Sequence, residues 1–166
     1  MVVFRIGHRN YATSLTASGV NGRWAAAGRP VIYCAENIPL AFLENMVRRQ
    51  GVGFNRDFRI VCVEIPDDLL ISSVEERNLD PDWRDPYDYS HCQPLGNQWF
   101  DNLRMPVLKV PSAVMPESYN YVINTLHPDF RQISILAVTE LVPDARIEDI
   151  LKKYPVHDSS QRTVKQ

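Results

Sequence analysis

The stretch GRPVIYCAENIPLAFLENMV, from Gly28 to Val47, decides the fold. Pro30 to Ala35 (PVIYCA) is apolar on both alternating faces, the pattern of a strand covered on each side. Asn37 then supplies a helix cap, and Pro39 is tolerated in the first turn. The spacing predicts a helix running to about Gln50, where Gly51 and Gly53 stop it. On a helical wheel Leu40, Phe42, Leu43, Met46 and Val47 form one broad apolar arc, with Glu44 at its shoulder. Arg48, four residues on, offers Glu44 an ordinary surface pair contributing about a few tenths of a kcal/mol. Alternatively, the shoulder stands at the lip of a cleft and the carboxylate faces a cationic substrate. Periodicity does not choose between the two.

Working outward, Met1 to Ile6 reads as an opening strand, followed by a polar loop from Thr13 to Gly28. Arg59 to Ile65, Val107 to Val110 and Ile133 to Glu140 read as further strands, and Gly96 to Asn102 as a short helix. Pro81 to Gln93, dense in Pro, Asp and Tyr, reads as irregular. Asp144 is expected to cap a last helix ending before Pro155. Several strands with few helices between them favour an α+β domain over a doubly wound sheet. Residues 1–156 are expected to form this domain, and 157–166, almost without apolar side chains, a flexible tail.

The 166 residues, 45% hydrophobic and 23% charged, have the balance of a soluble globular domain. A formal net charge of −2 argues against direct nucleic-acid binding, which needs a surplus of Lys and Arg. No apolar run is long enough to span a membrane, and the first residues lack a signal-peptide pattern. A cytoplasmic location is the expectation. Cys34, Cys62 and Cys92 read as buried small hydrophobes, and His8, His91, His127 and His157 lack metal-ligand spacing, so no metal is expected.

Four further stretches bear on Glu44. NGRW (Asn21 to Trp24), GRPVIYCAEN leading into LAFLE (Gly28 to Glu44), LGNQWF (Leu95 to Phe100) and VPSAVMPESYNYVINTLHPDF (Val110 to Phe130) occur in this order. Together they closely resemble the RES-domain family, the toxin halves of RES–Xre toxin–antitoxin pairs. That family is named for an arginine, a glutamate and a serine, which match Arg23, Glu44 and Ser112. The chain departs from the pattern at Asn21, where a second glycine is common, at Ala25, where an asparagine is common, and at Thr125, where a proline is common.

The resemblance implies an ADP-ribosyltransferase-like fold, a split, mixed β-sheet with flanking helices and a cleft for NAD+. It implies a toxin that depletes NAD+ by hydrolysis or phosphorolysis, or one that transfers ADP-ribose to a host protein. It also implies an Xre-like helix-turn-helix antitoxin that blocks the cleft. A third possibility is an inactive module that only binds such a partner.

The chemistry suits the residues. Breaking the nicotinamide–ribose bond builds positive charge on the sugar, and a carboxylate fixed beforehand, Glu44, stabilises it. Nicotinamide leaves neutral, so no second acid is needed to protonate it. Arg23 can grip the pyrophosphate through parallel hydrogen bonds; apart from the resemblance, stacking on Trp24 or pairing with a surface acid is the commoner use of such an arginine. Tyr33 can pack on a ring of the substrate and offer its hydroxyl, or simply be core. Ser112 is assigned to hydrogen bonding of the substrate, with a turn or cap as the alternative. Asn120 and Tyr121 either shape the cleft wall or secure the loop, and stand outside the catalytic set. Trp24 and Trp99 are expected in the core.

Overall fold

The computed structural model describes residues 1–49, 57–147 and 149. Its centre is a sheet of seven strands. In chain order these are β1 (Val2–His8), β2 (Val31–Ala35), β3 (Phe58–Glu64), β4 (Ile71–Ser73), β5 (Val107–Pro111), β6 (Tyr119–Asn124) and β7 (Ser134–Glu140). Helix α1 (Ile38–Arg48) follows β2, and α2 (Gln93–Asn102) precedes β5. The spatial order is β4-β5-β6-β2-β1-β3-β7. Only the β4–β5 pair is parallel, so the sheet is mixed and the domain α+β.

The split is visible in the register. β1 runs against β3 over its full length, and β2 against β6 over all five of its residues. Between β1 and β2, by contrast, one pair of residues, Phe4 and Ala35, carries the register. The sheet is therefore two halves, β4-β5-β6-β2 and β1-β3-β7, joined at a narrow seam.

Alternation along the strands sorts the side chains to two faces. On one, Val3, Ile32, Cys34, Val61, Val63, Val107, Tyr121 and Ile123 form a core, with Ile65, Leu69 and Ile133 joining from the connections. On the other, the apolar residues divide into two groups. Leu40 and Ala41 of α1, with Phe42 and Met46, pack on Phe4, Ile6, Ala35, Phe58 and Ile60, mostly on the β1 side of the seam. Trp99 and Phe100 of α2 join Trp24, Trp83 and Cys92 over Val31, Leu108, Val110 and Val122 on the other side. Truncating either Trp99 or Phe100 would cost about 3–5 kcal/mol.

The cap of α1 is as the sequence indicates: the Asn37 side chain accepts the Leu40 N–H at 2.8 Å, and Pro39 lies in the first turn. The apolar arc is rotated from the expected one. Val47 is 60% exposed, whereas Leu40 and Ala41 are the buried residues of α1. Glu44 falls between those two on the wheel and so lies within the inward face, not at its shoulder. Asn45, also turned inward, donates to the Ile6 carbonyl at 3.2 Å.

Two strands escaped the sequence. Edge strand β4 is only three residues long. β6 is a central strand whose last four residues are all buried, but its asparagines and the proline and glutamate before it read as a loop. α2 begins at Gln93, earlier than expected, with Pro94 in its first turn. Cys34 and Cys92 are buried, while Cys62 is only half-buried. Asp144 accepts the Arg146 N–H at 2.9 Å at the start of a helical turn. The rest of that expected helix, and the 157–166 tail, lie outside the described residues. Among the described residues no helix is long and apolar enough to cross a membrane.

Candidate active site

The polar face of the site is assembled across the seam. Glu44 comes from α1, Ser112 from the position just after β5 and Asn120 from β6. The Ser112 hydroxyl donates to Glu44 Oε1 at 2.7 Å, and Asn120 Nδ2 donates to the same oxygen at 2.5 Å. Among the described residues no hydrogen bond reaches Oε2 and no ion pair joins Glu44 to Arg48. Glu44 is thus held by neutral donors rather than neutralised by a cation.

Ser112 is fully buried. Its oxygen accepts the N–H groups of Val114 at 3.1 Å and Met115 at 3.0 Å, so both lone pairs are engaged while its proton points at Glu44. Its own N–H bonds Ser118 O at 2.9 Å, closing the β5–β6 connection. A hydroxyl with every hydrogen-bonding site filled is a poor nucleophile, and it has no free site for a substrate.

Tyr33 lies on the same sheet face. It pairs with Val122 while Ala35 pairs with Asn120, which puts it about 7 Å along β2 from the Asn120 level. Its hydroxyl accepts the Trp24 N–H at 3.2 Å. Burial, opposed by the backbone N–H groups of Trp24 and Ala25 and by the charge of Arg48, pushes the phenol up to about 12. The phenol is therefore neutral at physiological pH, and its proton is available to an acceptor.

The GRW loop closes over that hydroxyl. A Cβ on Gly22 would stand 2.7 Å from the Tyr33 oxygen. Helix α2 is the loop's platform, and this explains LGNQWF. Gln93 Nε2 donates to Gly22 O and to Asn21 Oδ1, both at 2.8 Å, and Asn97 Oδ1 accepts the Ala26 N–H at 3.0 Å. Asn21, a departure from the family pattern, is thus absorbed by a contact to α2. Thr125, another, donates its hydroxyl to Pro30 O at 2.7 Å.

Arg23 is oriented differently from the other three. Its guanidinium donates to the carbonyls of Trp83 and, at 2.9 Å, Asp85, with a longer bond of 3.4 Å to Arg84 O. It also lies over the Tyr89 ring, 4.9 Å from the centroid. Arg23 therefore fastens the irregular segment beside the loop, and among the described residues no hydrogen bond or ion pair joins it to Glu44. Trp24 and Trp99 are buried, as expected. The structure thus joins Glu44 to Ser112 directly, sets Tyr33 on the same face, and adds Asn120, which sequence reasoning left aside. The period-two alternation of YNYVIN was the available signal, since it puts Asn120 and Val122 on one face. Among the described residues no cluster of His, Cys, Asp and Glu could hold a metal ion.

The RES domain model matches residues 2–149. The chain is similar to a Toxin Res of Pseudomonas putida, 33% identical over 149 residues, which cover 89% of this chain and 99% of that protein. It is also similar to a protein of a Sphingobium species named Prs ADP-ribosylating toxin, 31% identical, covering 82% and 88%. Its fold matches a chain of the M. tuberculosis MbcT–MbcA toxin–antitoxin complex with a TM-score of 0.68 at 18% identity, covering 91% and 88%. The fold and the Glu44 site define an α+β domain built on a mixed seven-stranded sheet, with a carboxylate held at its seam. The chain belongs to the RES-domain family, whose relatives named above are toxins.

Proposed function

We propose that this chain is the toxin of a toxin–antitoxin pair and that it cleaves the nicotinamide–ribose bond of NAD+. The observation that carries this is the Glu44 carboxylate, fixed through one oxygen by Ser112 and Asn120 and, among the described residues, without a hydrogen bond at the other. When the C1′–N bond breaks, its electron pair leaves with nicotinamide, which departs neutral, and positive charge grows on the ribose. A carboxylate already in place stabilises that charge without reorganising. Water then bonds to C1′ and loses a proton, giving ADP-ribose; phosphate in its place gives the ribosyl phosphate.

Tyr33 supplies a neutral hydroxyl beside the ribose or nicotinamide. Ser112 acts here through Glu44. Arg23 retains the pyrophosphate role only through those donors not used by the 83–85 carbonyls. The reaction takes place in the cytoplasm, and an Xre-like helix-turn-helix antitoxin covers the site.

Purified protein incubated with NAD+, with and without phosphate, should release nicotinamide, and Glu44→Gln should reduce the rate by about 10²–10³. A folded, partner-free sample that leaves NAD+ intact under both conditions would sink the proposal. One observation favours a second acceptor: the name of the Sphingobium relative states ADP-ribosylation. Labelled NAD+ in lysate distinguishes the two, since a discrete labelled protein band marks transfer and free ADP-ribose marks depletion.

A further inference from the structure

We propose that Asn120 is a positioning residue for Glu44 that selects which carboxylate oxygen meets the substrate. This rests on the assignment of Glu44 as the charge-stabilising group. A carboxylate only accepts hydrogen bonds, so the amide must present its NH2 to Oε1. Asn120 does so at 2.5 Å from a central strand, with its backbone paired on one side to Val110 and on the other to Ala35.

Ser112 donates to the same oxygen, and its own lone pairs are taken by Val114 and Met115. Both donors therefore converge on Oε1, which becomes the anchored oxygen, and Oε2 is left as the one that faces the growing positive charge. The donor is neutral for a physical reason. A lysine or arginine at this place would form an ion pair with Glu44 and cancel its field at the sugar, whereas an amide orients the carboxylate and leaves its charge intact.

Two measurements test this. In Asn120→Ala, kcat for NAD+ cleavage should fall about 10- to 100-fold while KM changes less than about twofold, because orientation is lost and ground-state binding is not. In the wild-type protein, the Asn120 side-chain amide should give a 15N–1H signal displaced by the charged acceptor, and Glu44→Gln should move it. Wild-type kcat in a folded Asn120→Ala variant, an effect confined to KM, or an amide signal indifferent to Glu44→Gln would each overturn the proposal. If Asn120→Ala does not fold, the amide signal decides alone. Wild-type protein inert toward NAD+ would defeat the proposed function, while the amide signal would still judge the Asn120–Glu44 contact.

Discussion

The carbonyl oxygen of Trp24 rests directly on Gly96: a Cβ at that position would stand 1.8 Å from it. The contact joins the GRW loop to α2 and puts the loop's backbone where Tyr33 can reach it. A backbone carbonyl cannot swing aside as a long side chain would, so the glycine is a steric requirement.

Gly96→Ala should therefore destabilise the fold by about 1–3 kcal/mol, the range for overpacking a filled interior. Urea denaturation measures it. A midpoint equal to wild type would show that loop and helix separate easily.

Gly22→Ala should act on the site more than on the fold. The added methyl meets the far end of a tyrosine rather than backbone. The Tyr33 hydroxyl should shift and lose its Trp24 bond, lowering NAD+ cleavage about 10-fold or more, with a smaller effect on the denaturation midpoint than Gly96→Ala.

Arg23→Lys separates two roles. Lysine keeps the charge but not the planar fork that reaches three consecutive carbonyls. Limited proteolysis within Pro81–His91 should become faster. A rise in KM for NAD+ with unchanged proteolysis would instead locate the arginine's main work at the phosphates.

Tyr33→Phe bears on alkaline stability. The folded phenol is held at about 12 by burial, and an unfolded tyrosine ionises near 10. The unfolded state thus releases its proton first, so stability is fully present below about 10 and declines as pH rises toward about 12, by on the order of 2–3 kcal/mol. The variant should lack this part of the slope. Comparing it with wild type also cancels Cys34, whose thiol burial likewise raises to about 12.

Much of the frame was legible because its signals are local. Asn37 and Pro39 announce the start of α1, and the apolar alternation of β2 and β3 is plain. The family resemblance pointed to Glu44, Ser112 and Tyr33. What was hidden depends on distant chain segments meeting. β6 reads as a loop because its asparagines look like turn residues until one meets a carboxylate and the other, Asn124, donates to Phe100 O. The partners of Arg23 lie some sixty residues away on an irregular stretch with no pattern to announce them. The inward turn of Glu44 was misjudged because a helix face that lines a site is polar where a core-facing one would be greasy.

The single rung between Phe4 and Ala35 has a mechanical consequence. Glu44 rides on a helix packed largely over β1, while both of its fasteners belong to the opposite bank. The two bonds to Oε1 are stitches across that narrow seam, and in the proposed reaction parting the banks by about an ångström would loosen the carboxylate's aim at the sugar.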